Sequence, residues 1–278
     1  MASSLLSAPL VRISAAPFTP ESFLPFGTAI EAPLPKPLSS PPSSLASLKA
    51  PNCTPEPANQ GSALKWSPIS PISESYGTDE SKKKGSARMS MFSCFPRELR
   101  GPLSISPSSP SPPKAFSRLW NQNLSGLFDV KFLERHPYTS QTFIPLSTSE
   151  SQDQVAQRSG HNTPEDVFFL IIVAPTLNGQ TASATTINAE GNDATTTAIR
   201  DPPDLNNIQA FIAKPGQAVT YAAGTWHAPM VVMGRQRIDF VVVQYVNGIE
   251  NEDCELVELK DGVVVEVDAR SSRVVAKL

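Results

Sequence analysis

From Leu127 onward the apolar residues of this chain fall in short β-branched and aromatic runs separated by Pro, Gly, Asn and Asp, with almost no helical periodicity. A chain written this way buries its core between sheets, and the regular spacing of the runs predicts an all-β barrel or jelly roll. Phe128, Val130 and Phe132 alternate, and Glu134 continues the same face. A second strand is expected over 141–145 after a His136-Pro137 turn, and a continuous apolar strand over 167–174. Runs at 209–213 and 218–221 flank Lys214-Pro215-Gly216-Gln217, a hairpin signal. Further strands are expected over 228–233, 238–246 and 262–276.

The N-terminal half carries less pattern. Thr19-Pro20-Glu21 reads as a helix start, with a hydroxyl cap and proline at the first helical position, and Gly27 as its stop. Residues 59–66 read as ordered and 89–95 as a strand. The chain has 28 prolines, and many cluster in segments that cannot pack. We therefore expect one domain over residues 1–278, padded by flexible loops or insertions at 33–56, 73–88, 101–114, 147–164 and 178–201.

Charge and composition exclude several classes. The net charge is −3, and no basic patch with interleaved aromatics argues for nucleic acid. The longest apolar run, residues 167–175, is less than half of the roughly twenty residues needed to cross a bilayer. Cys53, Cys94 and Cys254 are sparse and odd in number, which predicts reduced thiols and a cytoplasmic setting. The terminal Ala276-Lys277-Leu278 approximates a peroxisomal address, the alternative location.

Two of the three histidines stand in suggestive contexts. His227 lies in Gly224-Thr225-Trp226-His227-Ala228-Pro229, downstream of the Pro215-Gly216 turn, which resembles the second motif of the cupin fold, a double-stranded β-helix barrel. His136 lies in Glu134-Arg135-His136-Pro137, with Gln141 five residues on. That segment resembles a first cupin motif in which Glu134 replaces a histidine and Gln141 a glutamate. Residues two apart on a strand share a face, so Glu134 and His136 should project together. A carboxylate on a core face needs a partner or a task. The bland readings are a packed His227, a surface Glu134–Arg135 pair, core or rim packing for Trp226 and Tyr221, and a solvent-facing Asp239. His161 sits in a polar loop and is expected to be exposed.

Together the segments 133–137, 141–146, 203–212, 224–229 and Asp239-Phe240 resemble the ureidoglycolate lyase family, and Asn59-Gln60-Gly61 with 92–97 resemble its fungal branch. The resemblance implies a homodimeric cupin-like enzyme of allantoin and purine catabolism that splits ureidoglycolate into glyoxylate and urea. It also implies a divalent metal such as nickel, for which Glu134, His136, Gln141 and His227 form a plausible set. On this reading His136 or Glu134 takes the hydroxyl proton, and His227 protonates the departing urea or holds the hydroxyl. Lys65 or Arg135 would bind the substrate carboxylate, Gln141 and Tyr221 the ureido group, and Trp226 and Asp239 are further candidate contacts. Rival readings are an iron-dependent dioxygenase using Glu134, His136 and His227, and a non-catalytic cupin that binds a small acid.

Overall fold

The computed structural model describes residues 4–34, 38, 42, 44–45, 48, 53–78, 81–101, 125–146, 167–187, 194–234, 236–260 and 262–268. His161, the loops expected at 101–114 and 147–164 (all but residue 101), and the terminal tripeptide lie outside them. The strands are β1 (Ser4–Ser7), β2 (Val11–Ser14), β3 (Ala16–Pro17), β4 (Gly27–Glu31), β5 (Glu56–Ala58), β6 (Ala63–Lys65), β7 (Ser86–Cys94), β8 (Ser125–Asp129), β9 (Phe132–Arg135) and β10 (Gln141–Pro145). They continue as β11 (Phe168–Ala174), β12 (Thr181–Ile187), β13 (Ala194–Arg200), β14 (Gln209–Ala213), β15 (Gln217–Tyr221), β16 (Trp226–His227), β17 (Val231–Met233), β18 (Ile238–Val246), β19 (Glu255–Lys260) and β20 (Val263–Asp268). Two one-turn helices, Pro20–Phe23 and Glu250–Asp253, interrupt this all-β, cupin-like architecture.

Two sheets build the site. The larger has the order β13-β12-β1-β19-β9-β16-β11-β14-β3, with β17 also on β11. The smaller has the order β4-β15-β10-β18-β7. Between them lies one core, containing Phe23, Phe143, Phe169, Ile171, Val173, Phe211, Val219, Tyr221 and Phe240. A second core lies on the other face of the large sheet and takes Leu133, Phe168, Leu170, Ile172 and Trp226. β11 has a core on each face, which is why its sequence is apolar at every position instead of every second one.

Thr19 caps the first helix through a reciprocal pair with Ser22, as the Thr-Pro-Glu signal predicts. The helix ends at Phe23, well before Gly27, which opens β4 at φ +145°. There a Cβ would sit 1.9 Å from the Thr220 carbonyl oxygen, so the glycine serves strand contact and not helix termination.

Several expectations from the sequence differ from the structure. The alternation from Phe128 to Glu134 breaks at Val130-Lys131. β8 pairs with β20 in a separate sheet, β9 joins the large sheet, and Phe132 is 38% exposed. The Lys214–Gln217 turn is tight but makes no hairpin, because β14 belongs to the large sheet and β15 to the small one. Where the sequence suggests an inserted loop over 178–201, Thr181–Ile187 and Ala194–Arg200 pair antiparallel as β12 and β13 over seven residues. Within the expected loop 73–88, the described residues Tyr76 and Ser81 are buried, and β7 begins at Ser86. Among the described residues no helix is long and apolar enough to cross a membrane.

Candidate active site

Strand register brings the site together at one end of the inter-sheet space. In the large sheet Glu134 of β9 stands opposite His227 of β16 on one side and Leu256 of β19 on the other. In the small sheet Gln141 of β10 stands opposite both Tyr221 of β15 and Gln244 of β18. The two rows face each other. His227 Nε2 lies 3.2 Å from Gln141 Oε1 and 3.4 Å from Glu134 Oε1, and the His227 ring stacks on Tyr221 at 4.0 Å and 11°.

His136 follows β9 and turns into the same space, its ring 5.5 Å from that of His227. Glu134, His136 and His227 each offer a donor atom, all within 4.8 Å of one another. These three residues are thus a convergent set, as the paired motifs predict.

Hydrogen bonds set which ring nitrogen faces the site. His136 Nδ1 lies 2.6 Å from the Asp253 carbonyl and His227 Nδ1 lies 3.0 Å from the Thr225 carbonyl. A carbonyl only accepts, so both Nδ1 atoms carry the proton. His136 Nε2 then presents a lone pair, whereas His227 Nε2 faces two acceptor oxygens, Gln141 Oε1 and Glu134 Oε1, and bonds to them only when it too carries a proton. Gln141 donates through Nε2 to Gln244 Oε1 at 2.6 Å, which turns its own Oε1 toward His227. The site is therefore a cluster of acceptors. One of them, His136 Nε2, is buried with no hydrogen-bond partner among the described residues.

Burial holds His136 below the usual imidazole range, and the neighbouring charge of His227 adds to the effect. For Glu134 burial is the largest influence and acts upward. It is outweighed, chiefly by the His227 hydrogen bond and the His227 charge, and the carboxyl ends below its ordinary value. A neutral His136 beside an ionised Glu134 follows at neutral pH. Burial, then the Glu134 charge, push the Tyr221 hydroxyl upward, so it stays protonated.

Other expected site residues stand elsewhere. Strand alternation sends Arg135 and Trp226 to the face opposite Glu134 and His227. There the guanidinium lies 5.0 Å over the indole and bonds to Glu255 at 2.5 and 2.8 Å. It also donates to the carbonyls of Asp201 and Arg200. Arg135 is a brace for the β12–β13 hairpin instead of a free cation at the site. Lys65 is exposed on the two-stranded β5–β6 ribbon, with no described contact to the cluster. Asp239 pairs with Arg237 at 3.0 Å on the outer face of β18, whose inner face carries Phe240 and Val242. Tyr221 packs against His227 within the core.

Sequence reasoning missed Gln244, Asp253 and Thr225. Gln244 sits in an apolar run with no motif, and the other two act through main-chain carbonyls that any residue provides.

The fold and site define a class: an all-β, cupin-like protein with a buried two-histidine, one-carboxylate cluster between its sheets. Within that class the assignment is narrower. The profile of the ureidoglycolate lyase family matches residues 10–266, and the chain belongs to that family. It is 27% identical to the ureidoglycolate lyase of Schizosaccharomyces pombe over 88% of this chain and 90% of that protein. It is also 27% identical to that of Saccharomyces cerevisiae over 92% and 98%. The enzyme of that name from Burkholderia mallei matches at 29% over 42% of this chain and 43% of its own length.

Proposed function

We propose that this chain cleaves ureidoglycolate to glyoxylate and urea, with His136 as general base and His227, steadied by Glu134 and Gln141, as general acid. The observation that carries the reading is the lone pair of His136 Nε2, without a hydrogen-bond partner among the described residues and buried beside the His227–Glu134 pair. The substrate is a hemiaminal. Removal of its hydroxyl proton lets the C–O bond become a carbonyl while the C–N electron pair leaves with urea, whose nitrogen takes up a proton. His136, kept neutral by burial, accepts the first proton. His227 bears the second, its cationic form held by Glu134 Oε1 and Gln141 Oε1.

The donor set also fits a divalent cation. The substrate is anionic, and Glu134 adds its own negative charge to the cluster. Arg135 and Lys65 stand elsewhere, so the cluster is short of positive charge. His136 Nε2, His227 Nε2 and a Glu134 oxygen would hold a cation such as nickel, with Gln141 Oε1 beside them. Bound there, it would polarise the substrate hydroxyl and carboxylate.

The test is a coupled assay for glyoxylate and urea on the intact protein, with and without chelator. Each of His136→Ala and His227→Ala should lower kcat by about 100-fold or more. Near-wild-type turnover in both variants would refute the assignment. The same donors suit an iron-dependent dioxygenase, and urea release under strict anaerobiosis excludes it. We also propose that two copies associate through the outer face of the small sheet, where Met89, Met91 and Ile144 are exposed.

A further inference from the structure

We propose that Tyr76 is a positioning residue for His136, acting through Asp253, and that residues 73–76 clamp the turn carrying both His136 and Gln141. The inference rests on the reading of His136 as a site residue. Among the described residues, the bond that holds the His136 ring through Nδ1 is the 2.6 Å one to the Asp253 carbonyl. Asp253 closes a one-turn helix, and its carboxylate is held by three donors. Oδ1 accepts from the Tyr76 hydroxyl at 2.8 Å and the Asn247 N–H at 2.7 Å, and Oδ2 from the Gly248 N–H at 2.8 Å. Two of these donors belong to the same turn as Asp253. Tyr76 alone arrives from a distant part of the chain and fixes the turn to the rest of the molecule.

The segment that brings Tyr76 also grips the site directly. Ser73 and Ser140 exchange hydrogen bonds of 3.0 and 2.9 Å, Glu74 bridges to Thr139, and Ser75 N–H donates to the Tyr138 carbonyl at 2.8 Å. Residues 138–140 are the link between His136 and Gln141. Tyr76 itself lies against the Tyr138 ring at 5.5 Å, and its N–H donates to Glu74 at 2.8 Å. Farther along, Ser81 donates to Glu252 at 2.5 Å, a second tie to the helix that ends at Asp253. One strap therefore fixes both ends of the His136–Asp253 bond.

Removing the Tyr76 hydroxyl keeps the ring and its packing but takes away the tie on Asp253 itself, leaving the turn held through Glu252 and Asn247. The lone pair of His136 Nε2 then loses its fixed direction. The experiment uses the full-length protein carrying Tyr76→Phe, with Val265→Ala, buried in the other core, as a control for lost stability. Long-range proton–nitrogen NMR of the imidazoles reads the tautomer, the signals being assigned with His136→Gln, His161→Gln and His227→Gln. Wild-type His136 should show the Nδ1–H form. Tyr76→Phe should mix the two tautomers and lower kcat by about 10- to 100-fold, with a much smaller change in KM. Val265→Ala should lower the melting temperature and leave tautomer and kcat unchanged. Should Tyr76→Phe fail to fold, Asp253→Asn weakens the same link and is read in the same way. A pure Nδ1–H His136 in the folded variant, or a kcat loss matched by the control, overturns the proposal. Full activity in His136→Ala together with a tautomer shift in Tyr76→Phe supports the clamp and ends the catalytic reading of His136 instead.

Discussion

At the scale of single residues, what distinguishes this site is the pairing of reactive groups with plain main-chain acceptors. Two carbonyls, from Thr225 and Asp253, turn both imidazoles so that their Nε2 atoms converge on Glu134. The same neighbourhood silences a thiol. Burial first, then the Glu134, Glu255 and Asp253 carboxylates, push Cys254 up to about 12. A thiol is nucleophilic only as thiolate, so at pH 8 about one Cys254 in ten thousand is in the reactive form. Iodoacetamide followed by peptide mass analysis should therefore modify Cys254 far more slowly in the folded protein than after denaturation. The rate should climb with pH beyond 10. Because burial is the leading cause, Glu134→Gln should speed the reaction only modestly. Labelling of native Cys254 at pH 8 as fast as in the unfolded chain would contradict this account.

At the scale of elements, strand alternation explains which parts of the site were legible in the sequence. Glu134, His136 and His227 were readable because a two-residue spacing and a Gly-rich approach both point side chains one way. Arg135 and Trp226, candidates on the family resemblance, adjoin them in sequence and for that reason face the other core. The β-rich architecture was legible from the runs after Leu127. The sheet switch at Lys214–Gln217 was not, because a tight turn looks alike whether its strands pair or part. The β12–β13 hairpin was obscured by its Thr, Ala and Asn content, which suits a solvated ribbon as well as a loop. That hairpin gives Arg135 its task. Asp201, at φ +50°, directs one carbonyl at both the Arg135 guanidinium and the Trp226 indole N–H. Arg135→Leu should accordingly lower stability by about 2 kcal/mol, the scale of hydrogen bonds to a charged group, seen in chemical denaturation. KM for ureidoglycolate should stay near wild type, because the guanidinium points away from the cluster. A large rise in KM with unchanged stability would return Arg135 to the role of substrate cation.

At the scale of the whole molecule, the two faces of the small sheet pose different demands. The inner face is covered by the large sheet. On the outer face, register places Ile144, Val241 and Met91 in one row, with Val243 and Met89 in the next. Among the described residues Met89 is 73% exposed, Met91 59% and Ile144 40%, and Phe95 just beyond β7 is 66% exposed. β7 is also the terminal strand of its sheet, nine residues long, with one edge unpaired among the described residues. An apolar face ending in a long free edge invites association unless something covers it. A second copy offers the same apolar face and edge, and self-complementary patches of this kind close as twofold dimers. The face lies on the far side of the sheet from Gln141 and Gln244, so association leaves the cluster untouched. Sedimentation velocity should then give twice 29.9 kDa for the wild type. Met89→Glu combined with Met91→Glu sets like charges across the interface and should shift the protein to monomer, with kcat within about twofold of wild type, since surface changes away from the site cost little. A wild-type monomer at micromolar concentration, or a double variant that stays dimeric, would place the interface elsewhere or remove it.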